Sequence, residues 1–117
     1  VEIESTLKVL FDNCKNNKID EAASLLVYNG EDTKRKYIDS FDLSSRKEKR
    51  EVKRTCRKIK ALLDVSSSFS TSEKTMEKKD KIDFYVIKVD FKSGSQNITT
   101  AFSFVKVEDK FLLAEIN

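Results

Sequence analysis

From Ile82 to Asn117 apolar and polar residues alternate with a period of two, and that alternation leaves few folds open to the chain. Successive side chains of a strand point to opposite faces, so the stretch reads as antiparallel β-structure with a buried face. Gly94-Ser95 divides it, because Gly tolerates the positive φ needed at the first central position of a two-residue hairpin turn. That turn opposes Phe91 with Ile98, Val89 with Thr100, Ile87 with Phe102 and Tyr85 with Phe104. All eight share one face, and a slip of one residue would scatter them. A three-residue turn at Glu108, Asp109 and Lys110 then carries the face on through Leu112, Ala114 and Ile116.

The same register defines the other face of the sheet. It opposes Val86 with Ser103, Phe84 with Val105 and Ile82 with Val107, and the last strand adds Phe111 and Leu113. Ile82, Phe84, Val105, Val107, Phe111 and Leu113 therefore gather at one end, while Lys88, Asp90, Thr99 and Glu115 make the rest polar. A contiguous apolar patch left uncovered marks an interface, so a homodimer or a protein partner is expected on it. The competing reading is that the N-terminus or residues 66–81 fold over the patch.

The preceding residues read as helices. Leu7, Leu10, Phe11 and Cys14 repeat at the spacing of one helical face, which predicts a helix over 6–16. Asn16 and Asn17 interrupt it. Asp20 then caps a second helix whose Ala22, Ala23, Leu25 and Leu26 run to a stop at Asn29-Gly30. Tyr37, Ile38 and Phe41 fit a short helix within 31–45. Ser45 followed by Glu48 matches a capping box, and Val52, Cys56, Ile59 and Leu63 carry a long helix to about Leu63. Ser66 to Ser72 suggests an exposed or edge strand, and Glu73 to Lys81 a charged connection. With 117 residues there is room for one core, so the expectation is a single α+β domain. Its helices lie at about 6–63, and a curved antiparallel sheet of about four strands lies at about 65–117.

Short helix, polar break, Ile19-Asp20-Glu21-Ala22-Ala23-Ser24-Leu25-Leu26, a later long helix, and a meander ending Val107-Glu108-Asp109-Lys110-Phe111-Leu112-Leu113-Ala114-Glu115-Ile116 together resemble the cystatin-like cone of the nuclear-transport-factor-two-like superfamily. The nearest likeness within it is to small secreted or lipid-anchored bacterial proteins of unknown function. The resemblance covers nearly the whole chain and implies helices packed on a curved sheet, with pairing through the sheet a common habit. The fold hosts isomerases, dehydratases, transport adaptors and ligand-binding proteins alike, so it does not select among them.

Histidine is absent, which removes the commonest general base and most zinc sites, and two glycines leave no phosphate-cradling loop. No cofactor, metal site or catalytic residue is expected. Asp83 and Asp90 read as solvated strand carboxylates, and Tyr37 and Tyr85 as candidates for the mouth of the cone, where a ligand would bind. Cys14 and Cys56 fall on apolar stripes of two helices over one sheet, so a disulfide between them is possible; two buried free thiols are the plainer reading. Residues 46–60 hold nine Lys and Arg against two Glu, an excess of seven within a chain whose net charge is +3. A solvated helix face is the plainer reading of that segment, because it lacks aromatics to stack on bases, and nucleic acid is not the expected partner. Asn97-Ile98-Thr99 matches a glycosylation acceptor by coincidence, since it falls inside a strand.

No apolar run approaches the ~20 residues of a membrane span. The chain starts at Val1 rather than Met, so its N-terminus is expected to be processed or trimmed, with any signal peptide or lipid anchor upstream. The expected role is a non-catalytic binding or interaction domain of an exported bacterial protein, at the periplasm or cell surface. The alternatives are an isomerase- or dehydratase-like enzyme using a carboxylate base, and a weak binder of nucleic acid or anionic surfaces through helix 46–60.

Overall fold

The computed structural model describes residues 2–32, 34–79 and 81–117. Three helices, α1 (Glu2–Lys15), α2 (Ile19–Ala23) and α3 (Arg46–Asp64), precede five strands: β1 (Ser68–Thr71), β2 (Thr75–Lys79), β3 (Ile82–Ser93), β4 (Gln96–Val107) and β5 (Lys110–Ile116). The fold is α+β, with the helices packed against a five-stranded antiparallel sheet that does not close into a barrel.

The helix α1 begins earlier than its periodicity suggests, because Ile3 extends the buried stripe of Leu7, Leu10, Phe11 and Cys14 by one turn. Its end is a Schellman motif: Asn17 takes a positive φ of 58°, Lys18 N donates to Asn13 O at 2.8 Å, and Asn17 N donates to Cys14 O at 3.3 Å. Asn is one of the few residues that adopt this conformation at little cost. The second helix ends at Ala23, short of the expected Asn29-Gly30. The next residues are recruited instead by the open edge of β5, where Leu113 N donates to Leu25 O at 2.8 Å and Val27 N to Leu113 O at 2.9 Å. Pairing with that edge satisfies backbone groups that a longer helix would leave bare.

Residues 31–45 hold no helix among the described residues. Arg35 N and Lys36 N donate to Asp32 O, and Ile38 N and Asp39 N to Arg35 O, but Tyr37, whose φ is 63°, keeps these turns from joining into a helix, and the chain doubles back so that Tyr28 N donates to Asp39 O and Tyr37 N to Tyr28 O. A Cβ at Gly30 would lie 2.5 Å from the Tyr28 hydroxyl, so a larger residue there would displace the Tyr28 ring.

Strands β3 and β4 pair in the expected register, Tyr85 with Phe104 through Ser93 with Gln96, around a turn in which Gly94 has a φ of 61°. Along the far edge of β3, β1 and β2 follow one another as one interrupted strand. Three residues, 72–74, stand opposite Ile87 and Lys88, and Ser72 bridges the gap with a backbone bond to Lys88 O and a hydroxyl that accepts from Lys88 N. The segment 73–81, read as a charged connection, thus supplies a strand.

The turn before β5 has two residues, not three. Glu108 and Asp109 both adopt positive φ, 48° and 70°, as a type I′ hairpin turn demands, and Val107 pairs with Lys110. Phe111 and Leu113 consequently face the helices, while Leu112 and Ala114 face the other way. A bulge at Ala114 then restores the expected pairs Ser103–Glu115 and Phe102–Ile116.

The main core lies between sheet and helices: Ile87, Val89, Phe91, Phe102 and Phe104 meet the buried stripes of α1 and α3. Thr100 is buried with them, Tyr85 is half-buried, and Ile98, near the hairpin tip, is 44% exposed despite sharing the face. A second core fills the apolar end of the opposite face. There Phe84, Val105, Leu112 and Ala114 pack under Val27, with Tyr37, Ile82 and Val107 at its margin. Phe84 and Val105 are 5% and 2% exposed, so this part of the patch expected to meet a partner is covered by the same chain, with Val27 and Tyr37 packed against it. From the segment 66–81, Lys79 adds to that cover, its Nζ 5.9 Å from the centroid of the Phe84 ring. Among the described residues, no helix is long and apolar enough to cross a membrane.

The covering loop fixes an expected outcome. Phe84→Ala removes a buried ring that meets the Tyr37 ring edge-on at 5.2 Å, and should cost about 3 to 5 kcal/mol in urea unfolding. A loss below about 0.5 kcal/mol, typical of surface positions, would show the face to be open.

Candidate binding cleft beside helix 3

Three fastenings position α3 against the sheet. The first is its N-cap, where Ser45 Oγ accepts from Glu48 N at 3.4 Å. The capping box is half formed, because the Glu48 carboxylate turns away from Ser45 and accepts from Asp42 N at 2.9 Å.

The second fastening is the ion pair that Glu48 makes instead. Arg35 reaches back from the loop and grips the carboxylate with both arms, Nη1 to Oε2 at 3.0 Å and Nη2 to Oε1 at 2.8 Å. Arg35 also donates to Ser40 O at 3.2 Å, lies 3.4 Å from Asp39 Oδ2, and stacks over the Tyr28 ring with its Cζ 4.4 Å from the centroid. Tyr28 in turn meets the Phe41 ring edge-on at 5.8 Å. A planar guanidinium suits this combination of fork and stack, which Lys could not reproduce. The bond from Arg35 holds the Glu48 carboxyl below the ordinary carboxylate value, with the bond from Asp42 N adding to it against partial burial. Asp42 is also lowered, chiefly by the Ser44 hydroxyl and then by the Ser44 backbone N–H, both of which donate to Oδ1.

The third fastening is covalent. Cys14 of α1 and Cys56 of α3 form a disulfide, where the spacing made free thiols the plainer reading. Their Cα atoms are 4.7 Å apart, within the range a disulfide requires.

Between α3 and the end of β5 lies a cleft of about 390 Å³. Leu26, Phe41, Leu113 and Ile116 give it apolar surface, and α3 contributes Glu51, Arg54, Thr55 and Lys58. Glu115, Asn117 and Asn29 complete the polar lining, and Asn29 Nδ2 is committed to Ala114 O at 2.6 Å. Phe41 reaches this wall because Arg35 ties its loop to α3. Arg54 lies 3.8 Å from Glu51 with both side chains well exposed, a pair worth little in water. On the other flank of α3, a groove of about 330 Å³ runs over the disulfide and Ile19, walled by Lys53, Arg57 and Lys60.

The two tyrosines expected at the cone mouth are not brought together. Tyr37 belongs to the second core and donates to Glu115 Oε1 at 3.4 Å, while Tyr85 packs on the helix-facing side, 5.2 Å from the Phe111 ring. Neither lines the cleft. The six residues expected at the interface divide as well: Phe84, Val105, Ile82 and Val107 belong to the second core, Phe111 and Leu113 to the first. Asp83 is exposed, and half-buried Asp90 accepts from the Thr99 hydroxyl on the outer face. Among the described residues, no group of His, Cys, Asp or Glu is placed to hold a metal ion. Arg35 was missed because no periodicity marks a loop residue; the one signal was the Glu at the third position of the capping box.

A carboxyl held low in the folded state stabilises the fold above its ordinary titration range, and that stabilisation is lost as pH falls through the folded value. Stability should therefore drop as pH is lowered below the ordinary Glu value of 4.5, and Glu48→Gln should lose stability at neutral pH while flattening this acid limb. Urea midpoints at pH 6 and pH 3 check it, and an equally steep acid loss in the variant would assign the limb to other groups.

Compared with protein-family models, curated proteins and solved structures, the chain matches none.

Proposed function

We propose that the chain is a non-catalytic binding domain of an exported bacterial protein, with its ligand site in the cleft between α3 and β5. The observation that carries this reading is the composition of the cleft. A concavity of about 390 Å³, lined by seven polar or charged residues and six apolar ones, has the size of a site for a small polar molecule. Its walls are set by the disulfide, the Arg35–Glu48 pair and the strand-like pairing of Leu25 to Val27 with Leu113. A site whose walls are fixed beforehand loses less freedom on binding. Export is supported by the disulfide, since such bonds persist in oxidising compartments and are rare in the cytosol. The order of helices followed by an antiparallel meander supports the likeness to the cystatin-like cone.

An anilinonaphthalene sulfonate probe, with an apolar body and one anionic head, matches the lining of Leu26, Phe41, Arg54 and Lys58. Saturable fluorescence enhancement is expected, weakened at least tenfold in Thr55→Trp, which fills the cleft from α3. An undiminished signal in that variant, with its fold intact by circular dichroism, would place the site elsewhere.

The disulfide has its own test. Free-thiol titration of the denatured, non-reduced protein should find none at Cys14 and Cys56, and reduction should cost about 4 kcal/mol by the loop-entropy relation for their separation of 42 residues. Two reactive thiols in protein taken from its native compartment would remove the argument for export.

A further inference from the structure

Most cations of α3 meet no anion within the domain. Arg46, Lys47, Lys49, Arg50, Lys53, Arg57 and Lys58 have no carboxylate at ion-pair distance among the described residues, and all are exposed. Lys60 pairs with Asp64 at 3.0 Å and Arg54 only loosely with Glu51. The one other acidic residue of the segment, Glu48, is drawn off to Arg35. Residues 46, 50, 54 and 58 form one ladder of like charge at i, i+4 spacing, and 49, 53 and 57 form a second. Like charges so spaced oppose helix formation, so the segment carries an unfavourable term that an external anion would relieve. The remaining residues of the chain sum to −4, so the net positive charge comes from this segment.

We infer that the exposed face of α3 is a docking surface for an acidic polysaccharide, a flexible chain bearing repeated sulfate or carboxylate groups. From Arg46 to Lys58 the helix offers a cationic strip about 18 Å long, with Asp20 and Glu21 at its border beside Lys49 and Lys53. The cation-walled groove over the disulfide, which no carboxylate lines, continues the strip on one side. Other polyanions fit less well. No aromatic residue occurs anywhere in α3, so bases would find nothing to stack on. Within the strip 46–58 the apolar residues, Val52 and Cys56, are buried, which leaves the strip no wedge for a lipid surface. The choice of a polysaccharide over nucleic acid also rests on the proposed export, because the anionic polymers met outside a cell are largely saccharides.

The test compares three probes on the intact, oxidised protein at physiological salt: heparin, a DNA duplex, and phosphatidylcholine vesicles containing phosphatidylserine. Heparin should bind tightest, with log affinity falling linearly in log salt. Arg46→Glu, Arg50→Glu and Arg57→Glu together should weaken it at least tenfold. The same charge change at the exposed Lys8, Lys78 and Lys110 should not. Circular dichroism and binding of the sulfonate probe to the cleft show that each variant is folded. Equal losses in both triple variants would reduce the effect to net charge and overturn the docking surface. So would tighter binding to DNA or vesicles, or no heparin binding by protein that still fills its cleft, and the last result would leave the cleft reading standing. Thiols found reduced in the native compartment would instead remove export while heparin binding persists.

Discussion

Everything else in the domain is fastened to the paired strands β3 and β4. Twelve residues in each give the sheet two faces with apolar ends, and a single layer of helices can cover only one of them. The chain therefore has to find a second cover, and it uses the loop between α2 and α3. That need explains why the second helix is short, why Val27 is as buried as any residue of the main core, and why a tyrosine adopts left-handed backbone at position 37.

The loop has little regular structure of its own, so its position depends on side chains. Arg35 joins it to the start of α3, Tyr28 and Phe41 stack beneath, and Tyr37 closes over Phe84. One consequence is that the cleft and the second core are coupled: a change that loosens Arg35 would move Phe41 at the cleft wall and Tyr37 over the opposite face together. The disulfide acts on a different joint, holding α1 and α3 as a unit above the sheet.

Periodicity made the sheet legible. The β3–β4 register followed from one glycine and the alternation on either side, and the stripes of α1 and α3 were evident from their spacing. Periodicity failed where the chain departs from a repeat. The turn at Glu108-Asp109 contains no glycine, so its positive φ values had no marker, and the bulge at Ala114 shifts parity in the middle of a strand. The wrong turn put Phe111 and Leu113 on the outer face and helped create an apparent interface there. The cysteine bond needed the distance between two helices, which no one-dimensional pattern contains. Arg35 was illegible for a related reason: its partner is thirteen residues away across an irregular segment.

The two margins of the sheet are finished in different ways, and this bears on how the protein behaves when crowded. A straight, bare strand margin is a template on which other chains can add and grow into aggregates. On the β5 side the backbone of Leu25 to Val27 occupies part of that template. On the other side β1 and β2 are short, wholly polar in their exposed positions except Met76, broken by the irregularity at 72–74, and guarded by Glu73, Lys74, Glu77, Lys78 and Lys79. A second copy approaching this margin would meet a bent backbone and have to strip water from several charges, so the domain discourages its own polymerisation even though about a third of its length is extended chain.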